Sequence, residues 1–204
     1  VDTNLIFFKK VILNRADQVQ SYSGSLAASA HALGGLFGRF GICGHGNYAY
    51  ENMLPYGSHV ALDHHLSSDQ LQIMHAGTRH SRVEKTELLA EHPQVRKSLR
   101  VCFHPPSFDE KTGLPVNCCE CEKCVRTMIA LMIIGKLDQF PTFSFRHRPI
   151  AQYQNPGILS AIYDEALKDL GLLAERHGRN DWVALLNSAR QKRRERESRA
   201  QAGS

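Results

Sequence analysis

No run of about eighteen apolar residues exists in this 204-residue chain, so no helix in it is expected to span a membrane. No secretory signal is visible; the chain runs directly into the apolar Leu5-Ile6-Phe7-Phe8. Internal repeats, low-complexity core segments, a G-x-S-x-G elbow and a dinucleotide-binding glycine fingerprint are all missing. Net positive charge is scarce outside one place. From Arg190 onward six basic residues face two acidic ones, so four of the five net positive charges sit in the tail and the body is nearly neutral. A tail of this kind reads as a solvated segment, a frayed helix end or disordered, with a nucleic-acid role as the alternative. The length suits one domain, or one domain with a small appendage, and a hydrophobic content of 42% is enough for a core.

What the chain does have is clustered cysteine. Cys118, Cys121 and Cys124 form a C-x2-C-x2-C run, and Cys102 lies sixteen positions before Cys118. Four thiolates are what a closed tetrahedral zinc site needs. The Pro- and Gly-containing segment between Cys102 and Cys118 reads as a loop that folds back on itself. Two rivals stay open: reduced structural thiols, and an iron–sulfur cluster, although the Cys that a ferredoxin pattern expects four positions after Cys124 is Met128. Cys119 is the odd one out and is expected to point away. Disulfides are disfavoured, because six cysteines clustered like this suit a reducing compartment, the cytoplasm.

Along the chain, Val1–Ile6 alternates as a short strand would, with Val11–Leu13 as its continuation or the start of the next element. Ser21 to Phe37 carries small and apolar residues at helical spacing. Arg39–Cys43 reads as a buried strand running into a Gly44–Tyr48 loop, and Leu71–His75 as a second strand. The segment Leu54 to Ser68 reads as loop. Ser81-x-x-Glu84 is a capping-box pattern for a helix that Pro93 ends, and a short helix reaches Leu99. An apolar helix follows Cys124. Asn155-Pro156 starts a helix carrying Ile158, Leu159, Ile162, Ala166 and Leu170, with Gly171 and Gly178 as breaks. Asp181 opens a last helix that fades into the tail.

Arg82-Val-Glu-Lys85, then Leu99-x-x-Cys102, then Asn117-Cys-x-x-Cys-x-Lys-Cys-x-Arg-Thr127 follow in an order that resembles the C-terminal half of the cyano-deazaguanine synthase (queuosine-precursor) group. Tyr56-Gly57-Ser58-His59 through Leu62-Asp63 resembles a loop of the same group. The resemblance covers about residues 1 to 137 and is specific in the cysteine run. It implies the PP-loop, or N-type ATP pyrophosphatase, superfamily: an α/β fold, part of a doubly wound parallel sheet (Rossmann-like, adenine nucleotide alpha hydrolase-like), with a four-cysteine zinc knuckle at 102–124. A helical extension over 138–189 and the tail over 190–204 follow. The implied chemistry is adenylation of a substrate oxygen by ATP with Mg2+, and displacement of AMP by a nitrogen or sulfur nucleophile.

One departure matters most. The superfamily's phosphate loop, S-G-G-x-D-S, is absent; Ser23-Gly24-Ser25 lacks its second Gly and its Asp. The chain is therefore expected to be a C-terminal part, a split product or a shortened relative, and the opening on Val1 in place of Met fits a start inside a longer product. The expected partner is an N-terminal segment or separate chain that carries the loop. Alone, the chain is not expected to turn over ATP.

The resemblance implies that Lys85, with Arg82 one turn earlier, faces the ATP phosphates; a solvated helix start is the alternative. His59 is the candidate proton shuttle. Ser58, Asp63, His45 and Asn47 are the candidate substrate-binding residues, set in loops at the carboxyl edge of the strands; for Ser58, His59 and Asp63 the alternative is a turn with hydrogen-bonded polar side chains. The loops at 44–48 and 56–63 and the helix start at Arg82 and Lys85 are expected to converge on one cleft. A second metal at His59, Asp63, His64 and His65 is a weaker reading. Cys43 reads as an inert small hydrophobe before it reads as a nucleophile. The leading function is the C-terminal part of an ATP-dependent ligase or synthase with structural zinc, acting on a small molecule, peptide or tRNA base. The alternative is a non-catalytic zinc module that binds a protein or nucleic-acid partner.

Overall fold

The computed structural model describes residues 21–44, 46–47, 57–102, 104, 107–110, 112–113, 115–143 and 150–202. The expected strand at Val1–Ile6 and the apolar Val11–Leu13 after it, and His45, Tyr48 and Tyr56, lie outside the described residues. The protein is mixed α/β and mostly helical. It divides into two compact units, Val1–Ser81 and Arg82–Ser204.

In the first unit, helix α1 (Tyr22–Ala32) presents Ala27 and Ala30, both buried, to two strands, β1 (Arg39–Cys43) and β2 (Gln72–Ala76). Small side chains on that face allow close approach, and Ile42, Leu71 and Ile73 complete the core. The strands pair in parallel, with Ile42 opposite His75 and Cys43 opposite Ala76. Among the described residues this parallel sheet has two strands. Among the described residues one face of it is covered. Phe40 and Ile42 point towards the core side, whereas Arg39, Gly41 and Cys43 are exposed. The expectation of a buried Cys43 is therefore corrected: strand alternation places it on the open face.

The second unit is built around α4 (Glu122–Ile133), which is buried nearly all round its surface. A helix of that kind must be wrapped by others. It is packed by α2 (Arg82–Leu89) and α6 (Asp164–Arg176), and α6 in turn by α7 (Asn180–Ala202). Shorter elements are α3 (Pro93–Ser98), the antiparallel pair β3 (Ser107–Phe108) and β4 (Pro115–Val116), and α5 (Pro156–Leu159). Trp182, Tyr153, Met128, Leu159 and Leu167 are among its largest fully buried side chains. Two left-handed glycines close helices: Gly135 (φ 69°) lets Lys136 N–H reach Leu131 O at 2.8 Å, and Gly178 (φ 65°) lets Arg179 N–H reach Ala174 O at 2.8 Å.

Three helix expectations are corrected. Gly171 lies inside α6 and does not break it; a side chain there would meet open space. The helix expected from Pro156 to Leu170 is two helices. Tyr163 is extended, its hydroxyl accepts from Arg126 Nη1 at 2.7 Å, and a new helix starts at Asp164. The tail, expected as a frayed helix end or a disordered segment, is helix as far as Ala202.

The cause of that last correction is arginine. Arg190 makes two bonds to Asp164, Nε–Oδ1 at 2.9 Å and Nη2–Oδ2 at 2.8 Å, and holds that carboxyl below the usual carboxylate range. Arg193 donates to Ile162 O at 2.9 Å and Arg196 to Ser160 O at 3.1 Å. These are carbonyls that the break between α5 and α6 leaves without helical partners. Asp164 is 35 % exposed, so its ion pair contributes less than about 1 kcal/mol, but the carbonyl bonds add to it. Truncation after Ala189 is expected to lower stability by about 2 kcal/mol, read as the urea midpoint of the full chain against the shortened one. An unchanged midpoint would mean that the tail helix contributes nothing.

Candidate metal centre

The β3–β4 pair turns the chain back so that the end of the Leu99–Cys102 segment meets Asn117–Cys124. Its turn is held by Asp109, whose Oδ1 accepts from Thr112 N at 2.9 Å and whose carbonyl accepts from Gly113 N at 2.8 Å. Cys121 then caps α4, and Cys124 sits in its first turn. The sulfurs of Cys102, Cys118, Cys121 and Cys124 all lie within 4.8 Å of one another. Cys121 Sγ is 3.3 Å from Cys124 Sγ and 4.0 Å from Cys102 Sγ, and Cys118 Sγ is 3.8 Å from Cys124 Sγ. Four sulfurs on one tetrahedral ion with bonds of about 2.3 Å stand roughly 3.8 Å apart. The spacing therefore fits a single ion such as zinc. A cluster spreads its thiolates over two or four irons and needs a wider set.

Backbone N–H groups support the sulfurs. Glu120 N and Cys121 N point at Cys118 Sγ at 3.4 and 3.3 Å, and His104 N at Cys102 Sγ at 3.4 Å. Burial pushes the Cys102 thiol up, but hydrogen bonds from the N–H groups of Cys118 and His104 and from the Cys118 and Cys124 thiols together bring it down to about 7. Burial raises Cys118 and, together with the Cys121 thiol, raises Cys124 further. Without a cation, ionising one thiol therefore opposes ionising the rest. A divalent ion that displaces the protons relieves that repulsion, so binding releases protons.

Cys119 stays outside the set. It is buried, adopts φ 59°, and its thiol is pushed up to about 12 by burial and by the neighbouring sulfurs. Its carbonyl accepts from Tyr153 Oη at 2.5 Å, which pins the knuckle to the helical core. Asn117, noticed in the sequence only as the start of the motif, is buried and bonds to two separate segments. Its Oδ1 accepts from Val101 N at 2.9 Å and Cys102 N at 3.2 Å; its Nδ2 donates to Leu99 O at 2.9 Å and Thr142 O at 3.3 Å.

Lys123 lies beside the centre. Burial, with the charges of Arg82 and Arg126, holds its ammonium below the ordinary lysine value. Arg126 is buried, bonded to Glu122 Oε1 at 2.9 Å and lying 5.1 Å over the Tyr163 ring. Arg82 and Lys85 are in the first turn of α2, half-buried, in the same unit as the centre.

The other predicted residues belong to the first unit. Ser58 and Asp63 do come together: Ser58 Oγ donates to Asp63 Oδ2 at 2.7 Å, and His59 N to Asp63 Oδ1 at 3.2 Å. The residue that sequence reasoning missed is His75, whose Nδ1 lies 2.6 Å from Asp63 Oδ2 with both side chains buried. The other partners of the carboxylate are donors, so Nδ1 donates too. His75 stands at the carboxyl end of β2, beside the exit of β1, where Gly44 N bonds to Ala76 O at 2.7 Å. The His59 ring faces its own backbone, Nδ1 accepting from Ala61 N at 3.1 Å. Asn47 is half-buried. The second-metal reading is not supported: Asp63 is engaged by Ser58 and His75, and the His64 and His65 rings lie 4.0 Å apart on an exposed turn. Among the described residues the four cysteines are the one group arranged to hold a metal ion.

No protein-family model matches the chain, and neither the curated proteins nor the solved structures yield a match. The class defined by fold and centre is a mixed α/β protein with a four-cysteine centre suited to an ion such as zinc. Among the described residues no helix is long and apolar enough to cross a membrane.

Proposed function

We propose that the chain is the C-terminal part of an adenylating, AMP- and pyrophosphate-forming enzyme of the PP-loop ATP pyrophosphatase kind, with zinc in the four-cysteine centre as a structural ion. The observation that carries this reading is the meeting of four sulfurs at the positions the resemblance marks, including the distant Cys102. A closed tetrathiolate has no open position for substrate, so the ion braces and does not react. The chemistry belongs elsewhere. Arg82 and Lys85 at the start of α2, with Lys123 close to Arg82, supply positive charge of the kind that neutralises a leaving pyrophosphate. Ser58, Asp63 and Asn47, with His75, provide polar groups at the carboxyl end of the parallel strands, where open α/β sheets hold ligands. In this reading the two strands belong to a larger doubly wound sheet. The S-G-G-x-D-S loop comes from an N-terminal segment or partner chain, ATP arrives with Mg2+, and the setting is the reducing cytoplasm.

One observation favours the alternative, a non-catalytic zinc module for a protein or nucleic-acid partner. The cysteine centre and the parallel strands belong to different compact units, so the helical unit has a core of its own. Calorimetric titration with a non-hydrolysable ATP analogue and Mg2+ separates the two readings. The chain would be measured alone, and again joined to or mixed with a segment carrying the S-G-G-x-D-S loop. Binding is expected only with the loop present, and Lys85→Ala is expected to weaken it by about tenfold or more with zinc content unchanged. If no analogue binds in either form, the module reading replaces the enzyme.

A further inference from the structure

Cys102 is the ligand that the local motif does not supply. The other three lie within seven residues of one another, on the knuckle and the first turn of α4, whereas Cys102 ends a separate arm. An arm of that kind can be held by the ion itself or by the protein. Here the protein holds it at one residue. Asn117 Oδ1 accepts from both Val101 N and Cys102 N, the two backbone groups that aim the Cys102 side chain. Asn117 Nδ2 donates to Leu99 O at 2.9 Å, so both ends of the arm are bonded to one amide. The amide is fixed in turn. Asn117 N donates to Thr142 O at 2.8 Å, and Thr142 Oγ1 donates to Leu99 O at 2.7 Å. Asn117 and Thr142 are both buried, which makes each of these bonds expensive to lose.

We infer that Asn117 is the positioning residue that delivers the fourth sulfur, and so sets the centre as a closed four-thiolate site in place of an open three-thiolate one. An amide can do this because it offers an acceptor to the two arm N–H groups and donors to the carbonyls from a single planar group. Alanine removes both functions, and a freed arm leaves the fourth position to water. The inference rests on the metal reading of the centre but not on the ATP reading.

Cobalt(II) in place of zinc tests it, because thiolate-to-cobalt charge-transfer intensity follows the number of sulfurs bound. The parent is expected to show a four-thiolate spectrum. Asn117→Ala is expected to lose roughly a quarter of that intensity, four thiolates becoming three, and to match Cys102→Ser. Its metal affinity should fall about 10- to 100-fold. Thr142→Val takes away the hydroxyl's bonds to Leu99 O and Asn117 Nδ2 but leaves both arm N–H groups on Asn117 Oδ1, so it serves as the stability control; it should lower the melting temperature and keep the parent spectrum. A parent that binds no cobalt would remove the metal reading itself. An Asn117→Ala spectrum equal to the parent's would overturn the Asn117 inference alone, as would a Thr142→Val spectrum that loses the fourth sulfur. Should Asn117→Ala not fold, amide exchange on the unmodified full chain decides. After chelation, the Val101 and Cys102 amides should stay protected, since Asn117 holds them. Exchange at unprotected rates once the metal is stripped would show that the ion holds the arm, and would overturn the inference.

Discussion

Cys121→Ser is expected to lose the bound metal and at least about 3 kcal/mol of the stability of the helical unit. Cys121 has two structural roles. Its sulfur is central in the set, 3.3 Å from Cys124 and 4.0 Å from Cys102, and its backbone caps α4. Ion binding to a site that the unfolded chain does not contain is folding free energy, so a missing ligand is felt in the fold. The helical core, with Met128, Leu131 and Leu167 fully buried, does not depend on the ion, so the loss should start at the knuckle and the first turn of α4. The chain's single tryptophan, Trp182, is buried in that unit and reports its unfolding by fluorescence. Cys119→Ser is the control. Its neutral, buried thiol lies outside the ion's reach, so zinc stoichiometry should be unchanged. Metal analysis of anaerobically purified parent and variants, with urea unfolding, checks both statements. A Cys121→Ser variant that unfolds like the parent would remove the structural role, and iron with sulfide in the parent would remove zinc.

The cysteine centre was legible in the sequence because a metal site imposes spacing. Three cysteines every third position at a helix start, and a fourth across a Pro/Gly segment, have few other uses. Asn117 was not legible as a support: one asparagine beside a cysteine carries no pattern, and its partners lie as far off as Thr142. Strands β1 and β2, and helices α1 and α4, follow from hydrophobic runs and small-residue faces. The break between α5 and α6 does not, since Leu159, Ile162, Ala166 and Leu170 are all buried on either side of it and keep the apolar pattern intact. The tail helix was missed for the opposite reason. It is held by arginines on carbonyls and on Asp164, and apolar periodicity is silent about such bonds. His75 was hidden inside a strand pattern; the structure pairs it with an aspartate twelve positions earlier.

That pair leads to the second large effect expected. Asp63→Ala should destabilise the first unit by about 3–5 kcal/mol, because it leaves buried groups without their common acceptor. Asp63 is fully buried and accepts from Ser58 Oγ, His59 N and His75 Nδ1. Among the described residues the buried apolar core of the first unit is small, Ala27, Ala30, Ile42, Leu71 and Ile73, and has little to offset such a loss. Asp63→Asn should cost less, about 1–3 kcal/mol, since one of its two terminal atoms becomes a donor facing a donor. Ser58→Ala should cost least, because it removes one of three donors and strands nothing else. Amide exchange in the peptide spanning β2 measures the series on the intact chain. About 1.4 kcal/mol is a factor of ten, so Asp63→Ala should speed exchange from about 10²-fold to several thousandfold and Asp63→Asn roughly 5- to 100-fold. The order also carries functional meaning. A carboxylate that only welds the 3-10 turn at Asp63–Leu66 to β2 gives this series and nothing more. If Asp63→Ala exchanges within about fivefold of the parent, the network is not what holds the unit together. Its burial at the carboxyl end of two parallel strands would then be a cost met for ligand binding rather than for the fold.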